Sequence, residues 1–160
     1  MKILVTSDSH DESDVLQTLL EEYAATVHLV IHLGDHDRDL LRLAPITDLP
    51  LLTVSGNTDD EMRSPRERVC TFFKKKFFLT HGHIYNINAG VDALARKALE
   101  EEARVCLYGH THVANTFNRH GILFMNPGSL SDPRDDNPPS YGLLTIDEKS
   151  GEIAGEIKYL

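Results

Sequence analysis

The sequence predicts an α/β protein built as two packed sheets with helices on the outside. Two observations predict it. The first sixty residues alternate short, nearly continuous apolar runs with segments of helical apolar spacing, which is a βαβ pattern. The remainder is rich in short strand-like runs separated by turn residues, with one amphipathic helix between them. A parallel first half and a strand-rich second half pack as layers around one core.

Lys2 to Thr6 is an apolar run and reads as a buried strand, followed by Ser7-Asp8-Ser9-His10. Val15, Leu16, Leu19, Leu20 and Tyr23 recur at helical spacing, with Ser13 or Asp11 available to cap them. Val27 to Leu33 is the second strand and ends at Gly34-Asp35; a short helix over Arg38 to Leu43 is stopped by Pro45. Leu51 to Ser55 is the third strand and ends at Gly56-Asn57. Thr58 to Pro65 is polar and reads as a surface loop. Arg68 to Phe73 and Lys76 to Thr80 form a strand pair around Lys74-Lys75, and the second runs into His81-Gly82-His83. Val91, Leu94, Ala95, Ala98 and Leu99 mark an amphipathic helix, wet on Arg96, Lys97 and Glu100 to Glu102. Val105 to Tyr108 is a strand that stops at Gly109 before His110 and His112. Val113 to Asn118 and Ile122 to Met125 form a hairpin near His120-Gly121. Asn126-Pro127-Gly128-Ser129 is a turn signal, and Ser131 to Ser140 is a Pro- and Asp-rich loop. Tyr141 to Ile146 and Glu152 to Tyr159 are the last two strands.

With 160 residues, no repeat and no linker, one domain over residues 1–160 is expected, large enough to bury a real core. No apolar run approaches membrane-span length, and Met1-Lys2 leads straight into a strand, so neither a membrane segment nor a signal peptide is expected. Cys70 and Cys106 sit far apart in apolar strands and read as buried thiols of a reducing, cytoplasmic compartment. A net charge of -9 argues against binding along duplex DNA, although bound divalent ions would add positive charge in one cleft.

The chemistry-bearing residues gather at strand ends. Asp8 and His10, and again His110 and His112, are spaced i and i+2, so in extended chain each pair would leave one face together. Asp35, Asn57 and His81 follow other strands, and in open α/β sheets sites lie outside the carboxyl ends of the strands. These seven donors are oxygens and imidazoles without a thiolate, a set for first-row ions rather than a Cys-rich structural zinc site. Seven exceed one ion's needs and fit two ions sharing a carboxylate. Glycines 34, 56, 82 and 109 adjoin them, leaving room for close approach.

The series Asp8-Ser9-His10, Gly34-Asp35, Gly56-Asn57-Thr58-Asp59, Thr80-His81-Gly82-His83 and Gly109-His110-Thr111-His112 resembles the calcineurin-like metallophosphoesterases. With Asn126-Pro127-Gly128-Ser129 and Pro133-Arg134, it resembles their small YfcE-type phosphodiesterase branch. The resemblance implies a four-layer α/β/β/α sandwich and a hydrolase. Asp8, His10 and His112 would hold one divalent ion, Asn57, His81 and His110 a second, and Asp35 would bridge them. A hydroxide shared by the ions would attack phosphorus in line. Manganese is the first expectation, with nickel, cobalt, iron or zinc as alternatives. The implied substrate is a small phosphodiester or nucleotide-like molecule, and relatives' assemblies imply a homo-oligomer.

One position departs from the family pattern. Many relatives carry a histidine directly after the asparagine; here Thr58 stands there and cannot act as a strong acid. His83 is the candidate to take over part of that role, or else it serves only a local hydrogen bond. Arg134 either reaches a substrate phosphate or pairs with Asp132 or Asp135. Asp59 reads as a loop cap or ligand support, His36 as facing the cleft or the surface, and His28, His32 and His120 as ordinary surface or core histidines. Lys74 to Lys76 reads as a solvated hairpin tip. Three functions compete with the diesterase: a phosphomonoesterase or nucleotidase; a non-catalytic scaffold, since a retromer subunit resembles this fold with a degraded metal site; and a nuclease, which the acidic charge disfavours.

Overall fold

The computed structural model describes residues 1–60 and 63–160. The polar stretch expected over residues 58–65 therefore lies partly outside the described residues. Among the described residues, ten strands and three α-helices follow one another: β1 (Lys2–Thr6), α1 (Ser13–Tyr23), β2 (Leu29–His32), α2 (Asp37–Leu43), β3 (Leu51–Thr53), β4 (Glu67–Phe72), β5 (Lys75–Thr80), α3 (Asp92–Glu100), β6 (Val105–Leu107), β7 (Asn115–Arg119), β8 (Ile122–Asn126), β9 (Ser140–Ile146) and β10 (Ile153–Tyr159).

They form two five-stranded mixed sheets, ordered β10-β9-β1-β2-β3 and β4-β5-β6-β8-β7. In the first, β1, β2 and β3 run parallel, with Ile3 opposite Leu29 and Ile31 opposite Leu52. β9 returns antiparallel along β1, and β10 along β9. In the second, β5, β6 and β8 run parallel, and β4 and β7 are antiparallel edges.

Side-chain alternation along each strand explains the layering. Ile3, Val5, Leu29 and Ile31 point inward and meet Phe77, Leu79, Leu107 and Met125 of the opposite sheet. Leu4 and Val30 point outward and are covered by Leu16, Leu19, Leu20, Leu40 and Leu43 of α1 and α2. Phe78, Cys106 and Phe124 face the other way and are covered by Leu94, Ala95 and Ala98 of α3. Strands buried on both faces read as unbroken apolar runs, which is why β1, β2 and β6 were recognisable. Each side chain so buried contributes roughly 1.5–3 kcal/mol. The architecture is the expected α/β/β/α sandwich.

Local details differ from expectation. α1 has Glu12 at its N-cap with no side-chain cap. Ser13 is already helical, and Asp11 is engaged elsewhere: its backbone N–H donates to Asp39 and its carboxylate accepts from Arg38. The β4–β5 turn is made by Phe73 and Lys74, both left-handed, so Lys75 opens β5 rather than closing the turn. β2 and β3 stop short of Leu33 and Val54 because the chain turns into the loops that carry the site. Both parallel triplets, β1-β2-β3 and β5-β6-β8, end at the same pole of the sandwich. There the loops are stitched together: Asp8 N–H donates to Gly34 O at 2.9 Å and Gly109 N–H to His81 O at 3.0 Å.

Candidate metal centre

Six of the seven expected donors converge at that pole. His112 Nε2 lies 3.2 Å from Asp8 Oδ1 and 3.4 Å from His10 Nε2. His10 Nε2 is 3.9 Å from Asp35 Oδ2. Asp8, His10, Asp35 and His112 each offer a ligand atom within 4.8 Å of the others, a group able to hold a cation. On the other side of the carboxylates, His81 Nε2 is 3.5 Å from Asp35 Oδ1, 3.9 Å from Asp8 Oδ1 and 3.2 Å from His110 Nδ1. Asp8, Asp35, His81 and His112 are buried, while His10 and His110 are partly open. The seventh residue, Asn57, follows Gly56 on the loop after β3 and is exposed.

The way these side chains are aimed is not the extended alternation expected from the i, i+2 spacing. Asp8, His10, Asp35, His110 and His112 all have positive φ, between 45° and 71°. Each sits in a left-handed turn just beyond its strand, a conformation uncommon outside glycine and asparagine and concentrated at functional sites. Two glycines make the close packing feasible. A Cβ on Gly56 would stand 2.1 Å from Asp35 Oδ1, and one on Gly109 would stand 2.9 Å from Asp8 Oδ2.

Backbone carbonyls set the imidazole tautomers. His81 Nδ1 is 2.8 Å from Leu33 O, and His112 Nδ1 is 2.6 Å from Asp132 O. A carbonyl only accepts, so each Nδ1 carries the proton and each neutral ring turns a bare Nε2 lone pair toward carboxylates. Asp8 Oδ1 is buried, takes no hydrogen bond, and faces two such lone pairs. Opposed lone pairs repel unless a cation stands between them, and a histidine whose second nitrogen is tied to a carbonyl is the usual form of a metal ligand. The residues present therefore fit a divalent ion held by oxygen and imidazole donors.

The proton affinities express the same demand for positive charge. Burial raises the Asp8 carboxyl, but contact with His112 and the neighbouring His81 outweigh it and leave it below its usual 3.8. Burial lowers His112, but Asp8 and the Asp132 carbonyl outweigh it and leave it above 6.5. Burial and the neighbouring His81 lower His110.

The remaining candidates fall around this cluster. His83 begins a short 3-10 turn; its ring is 5.4 Å from that of His81 and 6.1 Å from that of His110. Thr58 donates its backbone N–H to Asp35 Oδ1 at 3.0 Å. Asp59 collects the N–H groups of His36, Asp37 and Gly56, which makes it a loop support. His36 faces the cleft, its ring 5.2 Å from that of His10. Arg134 is exposed, with Nε 3.9 Å from Asp132 Oδ2. His32 is a core histidine bonded to Ser9 and Thr6. Several supports were not anticipated. Asn126 Nδ2 donates to Gly109 O and Thr111 Oγ, and Ser129 Oγ donates to Asp8 O. Their only trace in the sequence is the Asn-Pro-Gly-Ser turn, and the Leu33 and Asp132 carbonyls leave no side-chain trace at all.

Fold and site together define a metal-dependent phosphoesterase framework, and the chain belongs to the calcineurin-like phosphoesterase superfamily, whose domain description matches residues 1–149. It is similar to the probable metallophosphoesterase YsnB of Bacillus subtilis, 33% identical over 96% of this chain and 89% of that protein. It is also similar to the phosphodiesterase YfcE of Escherichia coli K12, 31% identical over 92% and 89%. Among solved structures, zinc-complexed Vps29 of Entamoeba histolytica superposes with a TM-score of 0.74 at 25% identity, covering 99% of this chain and 98% of that one. Among the described residues no helix is long and apolar enough to cross a membrane.

Proposed function

We propose that this chain is a dinuclear metal-dependent phosphodiesterase acting on a small phosphodiester or nucleotide-like substrate. The observation that carries this reading is the division of Asp35: Oδ2 faces His10 at 3.9 Å and Oδ1 faces His81 at 3.5 Å. A carboxylate with one oxygen toward each of two imidazole groups is placed to be shared. Asp8, His10 and His112 would hold one ion and His81 and His110 the other, with Asn57 available to the second from the loop beside Asp35. Manganese is the first choice of metal; nickel, cobalt, iron and zinc suit the same donors. When bound, such a pair supplies an acidified water for in-line attack on phosphorus and neutralises the phosphoryl oxygens.

The chain's own residues do the rest. Leu33 and Asp132 hold His81 and His112 in the tautomer that presents Nε2. Thr58 has no acidic proton to give a departing alkoxide, so His83, close to His81 and His110, is the proton donor for poor leaving groups. Arg134 is placed at the rim to meet a phosphate oxygen once it leaves Asp132. The name of the E. coli relative supports a diester over a monoester. We further assign residues 1–160 to one catalytic domain, active in the cytoplasm and as a homo-oligomer.

The test is a metal-by-substrate matrix on metal-stripped protein. Manganese should restore cleavage of bis-p-nitrophenyl phosphate in clear excess over p-nitrophenyl phosphate. Preference for the monoester would move the assignment to a phosphomonoesterase. No hydrolysis with manganese, nickel or cobalt would leave a metal-binding scaffold.

A further inference from the structure

At the opposite pole of the sandwich, where the parallel strands of the second sheet begin, lies a concavity of about 370 Å³. Lys75 at the start of β5, Arg104 just before β6 and Asn118 near the end of β7 line it, between the turn glycines Gly121 and Gly151. Its apolar floor is Leu123 and Ile153. The lining has two cations, one amide and no carboxylate. That is unexpected in a chain carrying 25 acidic against 16 basic residues.

The cations near this pole fall into two kinds. Lys76 Nζ is 2.6 Å from Glu102 and Arg119 Nη2 is 2.7 Å from Asp92, and neither lines the concavity. Among the described residues no ion pair engages Lys75 or Arg104. Each side chain passes close to one of the turn glycines. Arg104 Nη1 lies 3.6 Å from where a Cβ on Gly121 would project, and Lys75 Nζ lies 3.7 Å from the same point on Gly151. The backbone beneath Arg104 is pinned on both sides, its N–H donating to Lys76 O at 2.8 Å and its O accepting from Leu123 N–H at 3.0 Å.

We infer that this concavity is an anion site, separate from the metal centre, that takes the phosphate group of a small phosphorylated molecule. Two like charges lining one concavity repel, and an oxyanion between them would remove that repulsion while its several oxygens accept from the side chains around it. The guanidinium presents paired N–H donors that match a tetrahedral oxyanion, the ammonium supplies a compact second charge, and the Asn118 amide adds a neutral donor. The apolar floor can carry the organic part of the ligand. Strands of five or six residues separate this site from the metal centre, roughly 17–20 Å, so both sites can be filled at once.

The test is a titration of the zinc-loaded full chain with inorganic phosphate, followed residue by residue through backbone amide NMR shifts, beside a sodium chloride titration at matched ionic strength. The expected result is saturable shifts at Lys75, Arg104, Gly121 and Gly151 that chloride does not reproduce. Lys75→Gln with Arg104→Gln should weaken this response by at least about tenfold, since charge-assisted contacts are lost. Phosphate-induced shifts at Gly109 and His110 should persist in that variant. Shifts that grow linearly and are matched by chloride would overturn the inference, as would saturable shifts unaffected by the double substitution. If the double variant loses its dispersed spectrum, each single substitution is read in the same way.

Discussion

His81 Nδ1 reaches across the seam between the two sheets to the Leu33 carbonyl at 2.8 Å. His81 follows β5 of one sheet, and Leu33 follows β2 of the other. The bond therefore fixes the tautomer of a buried imidazole and the relative position of the layers at once. The same economy recurs where His110 N–H donates to Asp8 Oδ2 at 3.2 Å, again between sheets. The centre is built from interlocking of two halves, so its geometry depends on the packing of the whole core.

Gly56 tests that interlock. An alanine there would place its Cβ 2.1 Å from Asp35 Oδ1 and 2.4 Å from Asp35 N, and the backbone atom cannot rotate away. Gly56→Ala should destabilise the chain by about 1–3 kcal/mol, the usual range for overpacking, and should weaken metal binding as Asp35 is displaced. Thermal unfolding and metal titration check both. A variant with unchanged melting temperature and metal affinity would show that the loop after β3 yields freely.

His83 separates two kinds of substrate. If it donates the proton that Thr58 cannot, His83→Ala should slow cleavage of diesters with poor leaving groups by about 10²–10⁴-fold and leave p-nitrophenolate esters nearly untouched. The measurement is the dependence of kcat on leaving-group pKa. An identical slope and rate in the variant would remove His83 from the reaction.

The Asp8–His112 pair gives the metal-free chain a pH signature. His112 is raised above 6.5, so its contribution to stability is complete below 6.5 and is lost as pH rises through the raised value. Asp8 is lowered below 3.8, so its contribution is complete above 3.8 and is lost as pH falls through the lowered value. Both act together between 3.8 and 6.5. The melting-temperature gap between metal-free wild type and His112→Gln should be widest in that window and shrink at higher pH. The gain from added metal should run oppositely, because metal needs the neutral ring; at a hundredfold excess over Kd it is about 2.7 kcal/mol. A metal-free gap that widens steadily with pH would refute the pairing.

Much of the architecture and most of the centre were legible in the residues. β1, β2 and β6 announced themselves as apolar runs, and six donors fell beyond strand ends that the fold brings to one pole. The aim of those donors was not legible. Spacing suggested extended chain, but Asp8, His10, Asp35, His110 and His112 are left-handed, because each must double back over its strand end toward the opposite sheet. β9 comes late in sequence yet pairs with β1, with β10 outside it, a long-range pairing that local pattern does not encode. The absent cap at α1 has a similar cause, since Asp39 claims the Asp11 backbone.

The most direct measurement is calorimetric titration of the metal-stripped chain with manganese, run on wild type and on Asp35→Asn. Wild type should take up two equivalents per chain. Asp35→Asn should weaken both together by more than the roughly 10–100-fold that loss of an outer support costs, because in the proposed centre one carboxylate would serve both ions. A single equivalent in wild type, or two tightly bound ions retained in Asp35→Asn, would contradict a shared, paired centre.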